Sequence, residues 1–298
     1  MQRFSQVLAV VALVLLAPLA AAQEESERRV NIVPIKGPLY ELQGKGGNVV
    51  ASVGDDGILL IDSDYKDYAP AYEAALAGLR AKPGAPRFLL NTHWHFDHVG
   101  GNAYWGGQGT VIVAQENVYK RMSTRQEMKA FDRVVEPSPP EALPVVTYED
   151  EIAVRFNGDR LRAKHYPHGH TDGDSIMFFT AQNVVHMGDH VFKGGFPFVD
   201  LGSGGNVFSL IDNLRAVHER INDDTILVPG HGNGFLDRAA LATYIDILAS
   251  SAGAVREQLA AGKSVEEIAA AGLGEKYAPY GQGFIDEKSW IAEIAGSI

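Results

Sequence analysis

Asn91-Thr92-His93-Trp94-His95-Phe96-Asp97-His98 sets three imidazoles and a carboxylate within six positions. The apolar run Phe88-Leu89-Leu90 precedes it, with Pro86 just upstream, and such a run reads as a short buried strand. The cluster therefore occupies a loop leaving a strand end, where a rigid scaffold holds ligands in place. In an extended segment His93, His95 and Asp97 share one side, leaving His98 to face elsewhere, toward a second ion. Imidazole nitrogen and carboxylate oxygen are ligands of zinc, and they also suit iron or manganese. A solvated turn would account for one or two histidines here, but not for four ligand-type residues at this spacing.

Working outward, the flanking sequence alternates strand and helix signals. Val30-Asn31-Ile32-Val33 reads as a strand that Pro34 either confines to an edge or ends. Val49, Ala51 and Val53 alternate ahead of the turn signal Gly54-Asp55-Asp56-Gly57, and Ile58-Leu59-Leu60-Ile61 ends in Asp62. Tyr72, Leu76 and Leu79 recur at helical spacing up to Pro83-Gly84. Val111-Ile112-Val113 is a further strand. Residues 115–133 read as an amphipathic helix, and the proline-broken stretch after it as a surface excursion, with a lid as the alternative. Strands follow at Glu151–Phe156, Leu161–Tyr166, Ser175–Phe179, Asn183–Met187 and Thr225–Val228. Helices are expected over 207–221 and 237–261, and Ser264-Val265-Glu266-Glu267 has capping-box spacing. This order is that of a layered α/β protein.

Of 298 residues, 46% are hydrophobic and 21% charged, enough for a sizeable core. Residues 1–22 read as a signal peptide, with Arg3, an apolar stretch from Val7 to Leu16 and the small residues Ala20-Ala21-Ala22. A spanning anchor needs about 20 apolar residues, and Pro18 interrupts this stretch. The remainder, 23–298, is expected to be one catalytic domain with C-terminal helices, located in a periplasm or outside the cell. There is no cysteine, so neither disulfides nor thiolate ligands are available. A net charge of −11 argues against nucleic acid as a partner. Oligomeric state is not legible.

Three more ligand-type residues sit beside glycines at expected strand ends. They are His170 in Gly169-His170-Thr171-Asp172-Gly173-Asp174, Asp189 in His186-Met187-Gly188-Asp189, and His231 in Pro229-Gly230-His231-Gly232. Together with the first cluster, and in this order, they resemble the metallo-β-lactamase-fold hydrolases. The resemblance covers most of the mature chain, from Asp62 through His231. It implies an αβ/βα sandwich of two similar halves with metals at one edge. It further implies a first zinc on His93, His95 and His170, a second on Asp97, His98 and His231, Asp189 bridging the two, and Asp62 bracing the site. Asp189 stands where one β-lactamase subclass has cysteine and another has no ligand. A bridging Asp is instead typical of the glyoxalase II, lactonase and phosphodiesterase branches. His165, His168, His186, His190 and His218 do not match ligand positions, though His168 and His190 flank the motifs. Trp94 and Phe96 are read as wall or packing residues.

The implied chemistry is attack of a metal-activated hydroxide on a small cyclic amide, ester or thioester, a β-lactam among them, with Asp97 and Asp189 in the catalytic apparatus. Alternatives are a phosphodiesterase or nuclease on the same dimetal site, and a metal-binding module without turnover. Glyoxalase II itself is less expected, given an exported chain that ends soon after the core. Lys193 and Asn206, on the glycine-rich stretch after Asp189, are candidate substrate contacts, although Lys193 is one residue off the spacing seen in similar β-lactamases.

Overall fold

Apolar runs with no polar alternation need cover on both faces, and four layers provide it. The computed structural model describes residues 28–79 and 84–298. The expected signal peptide lies outside the described residues, as does Pro83. The first half contributes β1 (Asn31–Lys36), β2 (Leu39–Gln43), β3 (Val49–Gly54), β4 (Gly57–Ile61), β5 (Phe88–Leu90) and β6 (Val111–Gln115). A hairpin of β7 (Gln126–Met128) and β8 (Arg133–Val135) follows, and then β9 (Val146–Tyr148). The first sheet runs β1-β2-β3-β4-β5-β6-β9. Its pairs are antiparallel up to β3–β4 and parallel from β4–β5 onward. The second sheet contains β10 (Glu151–Phe156), β11 (Asp159–His165), β12 (Ser175–Phe179), β13 (Val184–His186) and β14 (Ile226–Val228), in that order. Of its pairs, β13–β14 is parallel.

β4 shows how the layers are specified. Leu59 and Ile61 point into the core between the sheets, where they join Leu90, Val113, Met177 and Val228. Ile58 and Leu60 point the other way, against Tyr72 and Leu76 of α1 (Ala69–Ala77) and against Trp105. Three short helices follow in the first half: α2 (Phe96–Val99), α3 (Asn102–Gly106) and α4 (Glu116–Met122). The outer face of the second sheet is covered by α5 (Val207–Arg220), α6 (Arg238–Ala260), α7 (Val265–Ala271) and α8 (Glu287–Gly296). This is the expected αβ/βα sandwich. Pro34 sits in the edge strand β1, where the register shifts between Pro34 and Lys36. Ser264 and Glu267 form the expected capping box of α7.

One expected element is different. The helix read over 115–133 stops at Met122, where the hydroxyls of Ser123 and Thr124 return to the Lys120 carbonyl at 3.3 and 2.7 Å. Such bonds compete with continuation of the helix. The chain then turns into the β7–β8 hairpin, which buries Met128 against Trp94, Val118 and Met122.

Parallel β4, β5 and β6 end on the same edge as the parallel pair β13–β14, so the loops after them converge there. Asn48 fastens the two halves at this edge. Its side-chain amide donates to the carbonyls of Pro229 and Gly232 at 3.1 and 2.9 Å, and its backbone N–H donates to Gly230 at 2.8 Å. At the far side of the second half, Trp290 of α8 is fully buried, stacks on Phe196 with centroids 5.1 Å apart, and donates to Ser251 Oγ at 3.0 Å. Trp290→Ala should cost roughly 3–5 kcal/mol, read as a lowered denaturation midpoint with an unchanged denaturant slope.

Candidate metal centre

Each motif reaches the sheet edge on its own loop. After β5 the chain bends at Thr92 and His93 and then enters α2, with His95 as its extended N-terminal flank. This breaks the alternation expected through Asp97. His93 and His95 therefore face His170, whereas Asp97 and His98 face His231. Three donor groups result: His93, His95 and His170; His93, His98 and Asp189; and Asp97, His98 and His231, each with one ligand atom per residue within 4.8 Å of the others. Asp189 lies among all of them. Its Oδ2 is 3.2 Å from His231 Nε2, 3.6 Å from His170 Nε2 and 3.8 Å from His93 Nε2, and its Oδ1 is 3.1 Å from His98 Nε2.

Two glycines permit this crowding. A Cβ on Gly47 would lie 2.1 Å from the His98 ring, and one on Gly230 would lie 2.2 Å from Asp189 Oδ1. Either contact would push a ligand aside.

The imidazoles are fixed from behind. His93 Nδ1 lies 3.0 Å from Thr92 Oγ1, and His98 Nδ1 lies 2.8 Å from Asp62 Oδ2. His170 Nδ1 faces the Phe198 carbonyl at 2.6 Å, and His95 Nε2 faces Asp200 Oδ2 at 3.0 Å. In each ring the opposite nitrogen is thus left facing the cluster, which is how outer partners orient metal ligands. Asp62 is itself held by the Thr92 N–H and hydroxyl, at 2.8 and 2.7 Å. Asp174 accepts from the backbone N–H groups of His170 and Thr171, fixing that loop.

Burial opposes charge throughout the cluster, yet opposite charges overcome it at several positions. Against burial, Asp189, Asp97 and Asp62 hold His98 well above the usual imidazole range. Asp189 and Asp97 likewise take His231 to about 9. Against the same penalty, His98 and His231 pull Asp97 down to about 2, and His95 and Ser203 pull Asp200 to about 2. For His93 and His170 burial and neighbouring imidazoles act together, lowering His93 well below its ordinary value and His170 to about 4.

A cation fits this donor set. His93 Nε2 is buried without a hydrogen-bond partner, a costly state for a polar atom that metal coordination would relieve. Residues 43–231 match the family model of the metallo-beta-lactamase superfamily. The chain belongs to that superfamily. This metallo-beta-lactamase-superfamily hydrolase is 28% identical over 148 residues to the hydroxyacylglutathione hydrolase GloC of Haemophilus influenzae, a match spanning 49% of this chain and 69% of the relative. A metallo-beta-lactamase from Pontibacter korlensis superposes with TM-score 0.61 at 16% identity, covering 74% of this chain and 99% of that one. A double mutant of the sec-alkyl sulfatase PisA1 superposes with TM-score 0.69 at 16% identity, covering 89% of this chain and 49% of that one. At such identities the solved structures speak for the fold alone.

The remaining sequence candidates lie elsewhere. Asn206 caps α5, accepting from the N–H groups of Phe208 and Ser209 and donating to the Ser297 carbonyl at 2.9 Å, so its side chain is committed to the helix end. Lys193 is exposed and does not line the pocket at the metal ligands. Its charge serves Glu41, whose carboxyl is raised to about 7 by burial while Gln43 and Lys193 pull it back. His168 faces the Gly204 carbonyl at 2.9 Å, and His190 faces Asn213 at 3.2 Å, and neither lines the pocket at the metal ligands. Trp94 is core, whereas Phe96 lines the pocket. The sequence reading missed Asp200 and Thr92, which orient ligands, and Lys45, which lines the pocket. Among these only Thr92, adjacent to the histidine motif, carried any signal. Asp200→Asn should weaken metal affinity about 10- to 100-fold, measured by competition with a chromogenic chelator, while circular dichroism stays native.

Proposed function

We propose that this chain is a dinuclear zinc hydrolase acting on a small carbonyl substrate, namely a lactone, ester, thioester or lactam. The position of Asp189, within 3.8 Å of His93 and His170 and within 3.2 Å of His231, carries the reading. In it His93, His95 and His170 would hold one ion and Asp97, His98 and His231 the other, with Asp189 available to both groups. Zinc bound there would polarise the substrate oxygen that gains charge and acidify water at neutral pH.

The chain's own groups do the rest. Asp97 lines the pocket together with Asp189 and is the more exposed of the two ligand carboxylates, with Oδ2 3.3 Å from His231 Nε2, so it is placed to receive a proton beside the substrate. Phe192 stacks on the His231 ring at 4.7 Å and 27°, holding it in plane. Lys45 is the basic residue among those lining the pocket, and an anionic group on the substrate is its natural partner. The pocket, about 420 Å³, otherwise has mainly aromatic walls, which favours a small organic acyl compound over a phosphate polymer. Thioesters belong in the substrate range because the relative described above is named for one. The apolar stretch within residues 1–22 supports export to a periplasm or beyond.

Zinc-reconstituted protein assayed on lactones, esters, thioesters, β-lactams and phosphodiesters tests the reading. Carbonyl substrates should turn over, with about two equivalents of zinc retained after dialysis. Full activity at a single stable equivalent, or turnover of phosphodiesters alone, would refute it. Asp189→Asn keeps the volume but removes the charge, so turnover should fall about a hundredfold or more with the fold intact, as befits loss of metal-activated water. A charge-assisted hydrogen bond is worth about 1.5–3 kcal/mol. Lys45→Ala should accordingly raise KM for a carboxylated substrate roughly ten- to hundredfold with little change in kcat. Lys193→Ala should leave KM where it was.

A further inference from the structure

Phe131 and Phe284 are exposed by 37% and 68%, unusual for phenyl rings with no role at a surface. They come from distant parts of the chain. Phe131 stands at the tip of the β7–β8 hairpin, beside Asp132 in the left-handed region at φ 45°. Phe284 follows the turn at Ala278–Gln282, well past the last ligand-bearing loop. Yet the two rings stack with centroids 6.1 Å apart and planes at 24°. Phe198 joins them, 5.2 Å from Phe131 and 6.4 Å from Phe284.

This triad reaches the metal ligands. Phe198 packs 5.6 Å from the His170 ring and 6.0 Å from the His95 ring, and its carbonyl is the group that orients His170. The C-terminal jaw is fastened to the same loop, since the Phe196 N–H donates to the Tyr280 carbonyl at 2.9 Å and Phe196 bridges Ile285. All three rings line the pocket that also contains Asp97, Asp189 and His231, with Lys45 among its walls.

We infer that Phe131, Phe198 and Phe284 form a specificity wall that accepts a phenyl-sized or larger apolar group carried on the acyl side of the substrate. The inference rests on the hydrolase reading above and deepens it. Aromatic faces at 5–7 Å spacing favour offset or edge contacts with a further ring, and such a group would take the two exposed rings out of water. An adjoining cation suits an acyl compound that is apolar at one end and anionic at the other.

The test uses zinc-loaded full-length protein and two esters with the same leaving group, acetyl and phenylacetyl. Wild type should prefer the phenylacetyl ester in kcat/KM by about tenfold or more, and Phe131→Ala/Phe284→Ala should erase that preference. Phe284→Leu, which retains apolar bulk at an exposed position, should keep part of it. Calorimetric binding of phenylacetate and acetate separates this inference from the hydrolase reading. Tighter phenylacetate binding that is lost in the double variant supports the wall even if neither ester is cleaved, in which case the hydrolase reading alone falls. Ester cleavage with no acyl preference, and equal binding of the two acids, overturns the wall. A dimer that dissociates in the double variant with selectivity unchanged also overturns it, and would assign the rings to contact between copies.

Discussion

The Asp189 carboxylate, 4% exposed and surrounded by four imidazoles, is the constraint on which the rest of the structure depends. A buried carboxylate without countercharge would be prohibitive, and so would charged His98 and His231 rings without a carboxylate beside them. The fold brings the two together at the edge where parallel strands from both sheets end. It then fixes four of the rings from behind, through Thr92, Asp62, Asp200 and the Phe198 carbonyl. The β4–β5 and β13–β14 pairings place these loops, and Asn48 keeps the two edges in register.

Much of this was legible because ligand chemistry is dense in the sequence. Four ligand-type residues in six positions rarely serve any purpose but coordination, and a glycine beside each remaining ligand marks close approach. The α/β layering followed from the order of strand and helix signals, whereas the two-halved sandwich came from the family resemblance. Supporting groups were less visible. Asp200 sits in a glycine-rich loop where an aspartate is ordinary, and only the folding of that loop over His95 gives it a role. Lys45 and Lys193 illustrate the same limit. The loop after Asp189 was the natural place to seek a cation, but the pocket draws Lys45 from the β2–β3 connection, while Lys193 lies exposed outside it.

The β7–β8 hairpin is hidden from the sequence for a related reason. Residues 115–133 contain enough apolar positions at helical intervals to satisfy a 3.6-residue period, whereas strand pairing is a tertiary fact that a single segment does not encode. The hairpin instead contributes Met128 and Phe131 to the pocket. A single aromatic residue between Lys129 and Asp132 gives no warning of a ring partner as remote as Phe284.

The division of the donor set between the halves has a mechanical consequence. His93, His95, Asp97 and His98 come from the first half, and His170, Asp189 and His231 from the second, so neither half holds a complete set. Any ion bound there cross-links them, as a disulfide would in a chain that had cysteine, which this one lacks. Such a tie is reversible and scales with concentration: a ligand about a hundredfold above its Kd adds about 2.7 kcal/mol to the folded state. The same atoms that select the chemistry would then also act as the clasp between the two sheets.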